Sequence, residues 1–152
     1  MGALGPPIKA RYCRAMAETY SAAPALDDLE RLAGAALKAI PDELRRHTQG
    51  VVVRIAEFPD AETEREMGLE SPFDLLGLYR GVSLDRKGGG DSPQDVDMVF
   101  LYRRPILDYW CETGEDLGHL VRHVIIHEIG HHFGLSDDDM QRIEDLAIEE
   151  QV

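Results

Sequence analysis

Residues 117 to 133 constrain this chain of 152 residues most. Leu117, Leu120, Val121, Val124, Ile125 and Ile129 place apolar side chains around much of one helical circumference. A helix that is apolar nearly all round is a buried, central one. The chain must therefore fold around this segment, with other elements packed on several sides of it. The same segment carries His119, His123, His127 and His131 at every fourth position, with Glu128 and His132 beside them. Ionisable groups on a core helix need a reason to be there.

The reason lies at its C-terminal end, where His127-Glu128-Ile129-Gly130-His131 is followed by Gly134 and Asp137, an H-E-x-x-H-x-x-G-x-x-D pattern. Residues i and i+4 lie about 40° apart and about 6 Å along a helix. His127 and His131 therefore aim at one metal ion from one face. Neutral imidazole is a favoured zinc ligand. Glu128 stands about 60° around the helix from His131. That takes it off the ion but leaves it able to reach a water there. Zinc lowers the pKa of bound water to about 7, and an adjacent carboxylate can take the proton. Gly134 suits a left-handed helix end, which turns the chain so that Asp137 returns toward the two histidines. Two histidines, a carboxylate and an open position make a catalytic zinc site rather than a closed structural one. A bare H-E-x-x-H also arises by chance, and the placed Gly and Asp make the pattern specific.

The remaining residues of this region have rival readings. Four histidines drifting about 40° per step span about 120°, so they cannot all share one ion. His119 and His123 read as surface or packing residues. His132, about 100° from His131, reads as packing, with a hand in substrate binding as the alternative. Asp138, Asp139 and Glu144 compete with Asp137 as third ligand. Met140 reads as core. Tyr79 and Tyr102 are candidates for stabilising an oxyanion, against the plainer reading of strand aromatics with surface hydroxyls.

Length and a composition of 43% hydrophobic and 30% charged residues fit a single-core globular domain. No run of 18 apolar residues spans a membrane, and Met1–Ala10 has no apolar signal core. Cys13 and Cys111 then read as free thiols in a reducing, cytoplasmic setting. The formal charge of −13 argues against nucleic acid as a partner, since such binding draws on neutralised phosphates. Arg11, Arg14, Arg45, Arg46, Arg103 and Arg104 are the only local basic concentrations and read as solvated element ends.

Along the chain, 1–24 reads as a leader, broken by Gly5-Pro6-Pro7, and 25–152 as one domain. Helical spacing predicts a helix over Leu26–Ile40, stopped by Pro41, with a short helical turn over Asp42–His47. Val51–Phe58, Leu75–Leu84 and Asp97–Arg103 read as strands. Ala61–Glu70 reads as loop or surface helix, Asp85–Gln94 as a flexible Gly-rich loop that can act as a flap, and Ile106–Gly114 as irregular. Ser136 with Asp139 is a cap signature for a last helix over about 137–149.

The motif, with Leu75–Gly81, Met98–Arg103 and Pro41–Leu44, resembles the small bacterial zincin-like metallopeptidases over about residues 28–146. The resemblance implies a zincin-like α+β fold, a small mixed sheet packed on the H-E-x-x-H helix with flanking helices. Its Gly-x-x-Asp spacing favours Asp137 as third ligand. The expectation is hydrolysis of a peptide or protein substrate by one zinc ion on His127, His131 and Asp137, with Glu128 as base. A strand beside the active helix, the second or third, would pair with the extended substrate. Two other readings stand beside it. The i, i+4, i+10 ligand spacing also occurs in small metal-dependent endoribonucleases of rRNA maturation, although Glu128 and an aspartate in third place count against them. A metal-stabilised binding or regulatory module without catalysis is the other.

Overall fold

The computed structural model describes residues 22–81 and 96–149. Most of the expected leader, Cys13, Arg11, Arg14 and the Gly-rich loop Asp85–Gln94 lie outside the described residues. Six helices and a three-stranded mixed sheet make an α+β fold: α1 (Leu26–Ala39), α2 (Asp42–Thr48), β1 (Val52–Ala56), α3 (Ala61–Met67), β2 (Gly77–Arg80), β3 (Met98–Tyr102), α4 (Arg103–Thr113), α5 (Leu117–His132) and α6 (Asp137–Glu149).

Helix α5 is the central element that its composition requires. Leu117, Leu120, Val121, Val124, Ile125, Ile126 and Ile129 are all buried. They share one core with Leu29, Ala33, Ala36 and Ile40 of the first helical segment, Leu44 of α2, Val99 and Leu101 of β3, and Ile143 of α6. At about 25 cal/mol per Å² of apolar surface removed from water, this burial is the dominant favourable contribution to folding.

Helix α1 ends where Pro41 forbids continuation. The Arg45 guanidinium donates to the carbonyls of Lys38 at 3.2 Å and Ile40 at 3.1 Å, so it closes the end of α1. Arg103 donates to the Pro24 carbonyl at 2.6 Å and pairs with Glu57 at 3.0 Å. These two arginines thus serve the fold. The segment 61–70 resolves into α3, capped by the Asp60 carboxylate on Thr63 N at 2.8 Å.

Strand β3 is central, parallel to β1 and antiparallel to β2. Val99 and Leu101, on the face the alternation assigns to one side, are fully buried. Strand β2 begins two residues later than expected, after a 3₁₀ turn over Pro72–Asp74 capped by Ser71, and residues 82–84 of the expected strand lie outside the described residues. Gly77 lets this strand lie against the central helix: a Cβ there would come within 2.6 Å of Val124 Cγ1 and 2.9 Å of the Phe100 carbonyl.

Residues Ile106–Gly114 are not irregular. Arg103–Thr113 is an eleven-residue helix, ended by Gly114 at φ +70°. Pro105 falls in its first turn, where the missing N–H has no partner to lose, so it marks a beginning and not a break. Ile106 and Trp110, four apart, are buried on one face.

Candidate active site

Helix α5 ends as Gly134 requires. Gly134 has φ +75°. Its N–H reaches His131 O at 3.2 Å, and Leu135 N reaches Gly130 O at 2.9 Å. This paired closure is a Schellman end. Ser136 then caps α6: Asp139 N donates to Ser136 Oγ at 3.1 Å, and the Ser136 hydroxyl lies 2.8 Å from Asp139 Oδ2. The turn between these two caps holds Asp137 beside the histidines. His131 Nε2 and Asp137 Oδ1 are 3.5 Å apart, and His127, His131 and Asp137 can each bring a ligand atom within 4.8 Å of the others. Two of these groups are open to solvent, with side chains 58% exposed for His131 and 89% for Asp137.

Met140 is fully buried, and its contact explains Gly130. A Cβ at Gly130 would lie 2.5 Å from Met140 Sδ. The glycine between the two motif histidines is thus the point where α6 docks on α5.

Glu128 points elsewhere, as its angle on the helix demands. Tyr79 N donates to Glu128 Oε2 at 3.2 Å. In the antiparallel ladder Tyr102 N donates to Leu76 O at 2.9 Å. Inward-bonding residues alternate, so the Tyr79 N–H faces away from β3. The Glu128 carboxylate therefore stands at the open edge of β2. Burial pushes its pKa above the ordinary glutamate value, against the lowering effect of the Tyr79 N–H and the His131 charge. Of the two strands considered for pairing with substrate, β3 is ruled out, since both its edges are taken by β1 and β2. Strand β2 has no strand on its other side among the described residues, and there the Tyr79 N–H meets Glu128.

The tyrosine hydroxyls are not at the surface. Tyr102 is 3% exposed and Tyr79 is buried, and burial raises the pKa of both. The Tyr79 ring stacks on His132, with centroids 4.0 Å apart, and its hydroxyl lies beside the Asp97 carboxylate, which adds to the upward shift. His132, itself exposed, thus lays its ring on Tyr79 of β2, and it also closes on Gly81, where a Cβ would lie 2.5 Å from its Cε1.

A second constellation appears one turn back. His123 Nδ1 lies 2.8 Å and His127 Nε2 lies 3.0 Å from Glu144 Oε1, and the three form a further group able to converge on an ion. The His123 and His127 rings stack with centroids 4.0 Å apart. The carboxylate against His123 raises the histidine's pKa. Burial pushes the Glu144 carboxyl up, but the neighbouring histidines prevail and hold it below its ordinary value. Burial and the His123 charge lower His127. His123 is therefore no plain surface residue. The sequence offered Glu144 as a rival ligand but gave no sign of its pairing with His123.

The donor chemistry fits a metal ion. His127 Nε2 and Glu144 Oε1 are buried and 3.0 Å apart without the geometry of a hydrogen bond, and the only other group that meets this oxygen is the His123 imidazole at 2.8 Å, among the described residues. Polar atoms left so are costly unless something else satisfies them.

An H-E-x-x-H helix packed on a mixed sheet, with its glutamate at a strand edge, defines the class of metal-dependent hydrolases. More narrowly, the chain belongs to the family of zincin-like metallopeptidases, whose model matches residues 48–146. The match leaves out the Pro41–Leu44 segment. A search of the curated proteins finds no match. Among the described residues, no helix is long and apolar enough to cross a membrane.

Proposed function

We propose that this chain hydrolyses peptide bonds with one zinc ion held by His127, His131 and Asp137, and with Glu128 as general base. The observation that carries the reading is the Glu128 carboxylate. It leaves the face of the two motif histidines and stands at the free edge of β2, where an extended peptide can add as a strand. The zinc ion, when bound, supplies polarisation of the scissile carbonyl and a water whose pKa falls to about 7. Glu128 would take the proton from the attacking water. It then delivers the proton to the amide nitrogen as the C–N bond breaks. The raised pKa of Glu128 makes its carboxylate a stronger base than an ordinary glutamate. Main-chain groups of β2 that face away from β3 orient the substrate backbone beside it.

The acidic chain and the engagement of Arg45 and Arg103 in the fold favour a peptide over RNA as substrate. Glu128→Gln keeps the shape of the side chain and removes its basicity. It should lower hydrolysis of a mixed peptide library by at least about 10², with the zinc content unchanged by elemental analysis. Wild-type turnover in that variant, or loss of its zinc, would overturn the role. Structured RNA incubated in parallel should stay intact.

A further inference from the structure

We propose a second seat for a divalent transition-metal ion, made by His123, His127 and Glu144, which shares His127 with the hydrolytic site and competes with it for the ion. The proposal rests on the assignment of His127 to the hydrolytic ion.

The geometry begins with α6. Met140 docks at Gly130 of α5. Glu144 is one helical turn further along the same face of α6, and it meets α5 one turn further back, at His127 and His123. Glu144 Oε1 lies 2.8 Å from His123 Nδ1 and 3.0 Å from His127 Nε2. Its side chain is only 4% exposed, whereas Asp137 is 89% exposed. A carboxylate taken that far out of water needs charge to meet it, which a protonated His123 or a bound cation supplies. The oxygen and His127 Nε2 face each other without a hydrogen bond, which is how two donors to a common cation stand.

Two imidazoles and a carboxylate suit zinc, cobalt, nickel or copper rather than calcium or magnesium. An entry path exists. A cavity of about 470 Å³ is lined by His123 and Glu144, with Glu115, Asp116 and His119 also in its wall. The acidic residues draw cations toward it.

A neutral imidazole has one unprotonated nitrogen, so His127 serves one ion at a time. An ion in the second seat leaves His131 and Asp137 without their partner, and the ion then sits one helical turn back from the hydrolytic position. The protein would hold metal in this state and not hydrolyse.

Cobalt titration of the metal-stripped full chain tests this by visible absorption and stoichiometry, with no need for turnover. Wild-type protein should bind one ion per chain. Asp137→Ala should still bind one ion, with an altered cobalt spectrum. Adding Glu144→Gln or, separately, His123→Phe to Asp137→Ala should weaken binding by more than about tenfold. Phe keeps a ring to stack on His127, so it decides the matter if the Gln variant fails to fold by circular dichroism. Two ions on wild-type protein would overturn the sharing of His127. Loss of the ion from Asp137→Ala alone, or double variants that bind like Asp137→Ala, would overturn the seat itself. If Glu128→Gln fails its own test while these results hold, the peptidase reading falls and the seat stands.

Discussion

Glu128 and His127 are neighbours in sequence, yet burial moves their proton affinities in opposite directions with opposite consequences. Burial holds the Glu128 carboxyl protonated to higher pH than an ordinary glutamate, and a protonated carboxyl is no base. Burial also keeps His127 neutral to lower pH than a free imidazole, and a neutral imidazole is what a metal needs. As pH falls, hydrolysis should therefore fail, through protonation of the base and of the histidine ligands. Parallel profiles of kcat/KM and metal content should both fall in acid. Full activity at a pH where the metal has left would contradict the assignment of these ligands. The raised pKa also carries a stability statement. An acid that binds its proton more tightly when folded destabilises the fold once ionised, with the penalty absent below its unfolded pKa and complete above its folded one. Glu128→Gln removes that penalty and can still accept from Tyr79 N. Its Tm should rise above wild type at neutral pH, and the gap should close in acid. A lower Tm at neutral pH would show that the ionised carboxylate stabilises the site.

Two glycines at the junction of α5 and α6 do different jobs, and alanine separates them. At Gly134 no neighbour lies within 4 Å of an added Cβ, and φ is +75°. Gly134→Ala therefore costs backbone strain alone, about 1–2 kcal/mol, read from denaturant unfolding. At Gly130 the backbone is ordinary helix, and the added Cβ meets the fully buried Met140. Gly130→Ala should cost about 1–3 kcal/mol through overpacking. It should also weaken metal binding, because α6 carries Asp137 and Glu144. Replacing Met140 by Ala in that background should recover part of the metal affinity but none of the cost of Gly134→Ala. The same junction shows what a sequence discloses. Gly134, the Ser136–Asp139 cap and the i, i+4 histidines are local devices, legible because helix geometry fixes them within one turn. The pairing of His123 with Glu144 depends on how α6 rotates and docks across a turn, which no local spacing encodes. Helix α4 was hidden for another reason: Pro105 signals both a helix start and a break, and only the burial of Ile106 and Trp110 decides between them.

On the scale of the whole molecule, one helix is both the core and the active element. Helix α5 packs against α1, α2, α4, α6, β2 and β3, so stability and site geometry cannot be tuned apart. Ile125, fully buried at its centre, should cost about 2–5 kcal/mol when truncated to Ala, and metal affinity should fall with it. A surface change such as Glu62→Ala should move neither measurably. The mixed sheet was legible as three strands, but their order was not. Strand β3 sits between β1 and β2, and this leaves β2 as the strand that Glu128 overlooks. In the proposed function this overlooked edge and the H-E-x-x-H helix together cut peptide bonds. The most direct measurement is a cleavage profile of proteome-derived peptides, with zinc-reconstituted wild type set against Glu128→Gln of equal zinc content. New peptide termini should appear in the wild-type digest alone, abolished by chelation and restored by zinc. Identical termini from both proteins, or none from a wild-type chain holding its zinc, would contradict it.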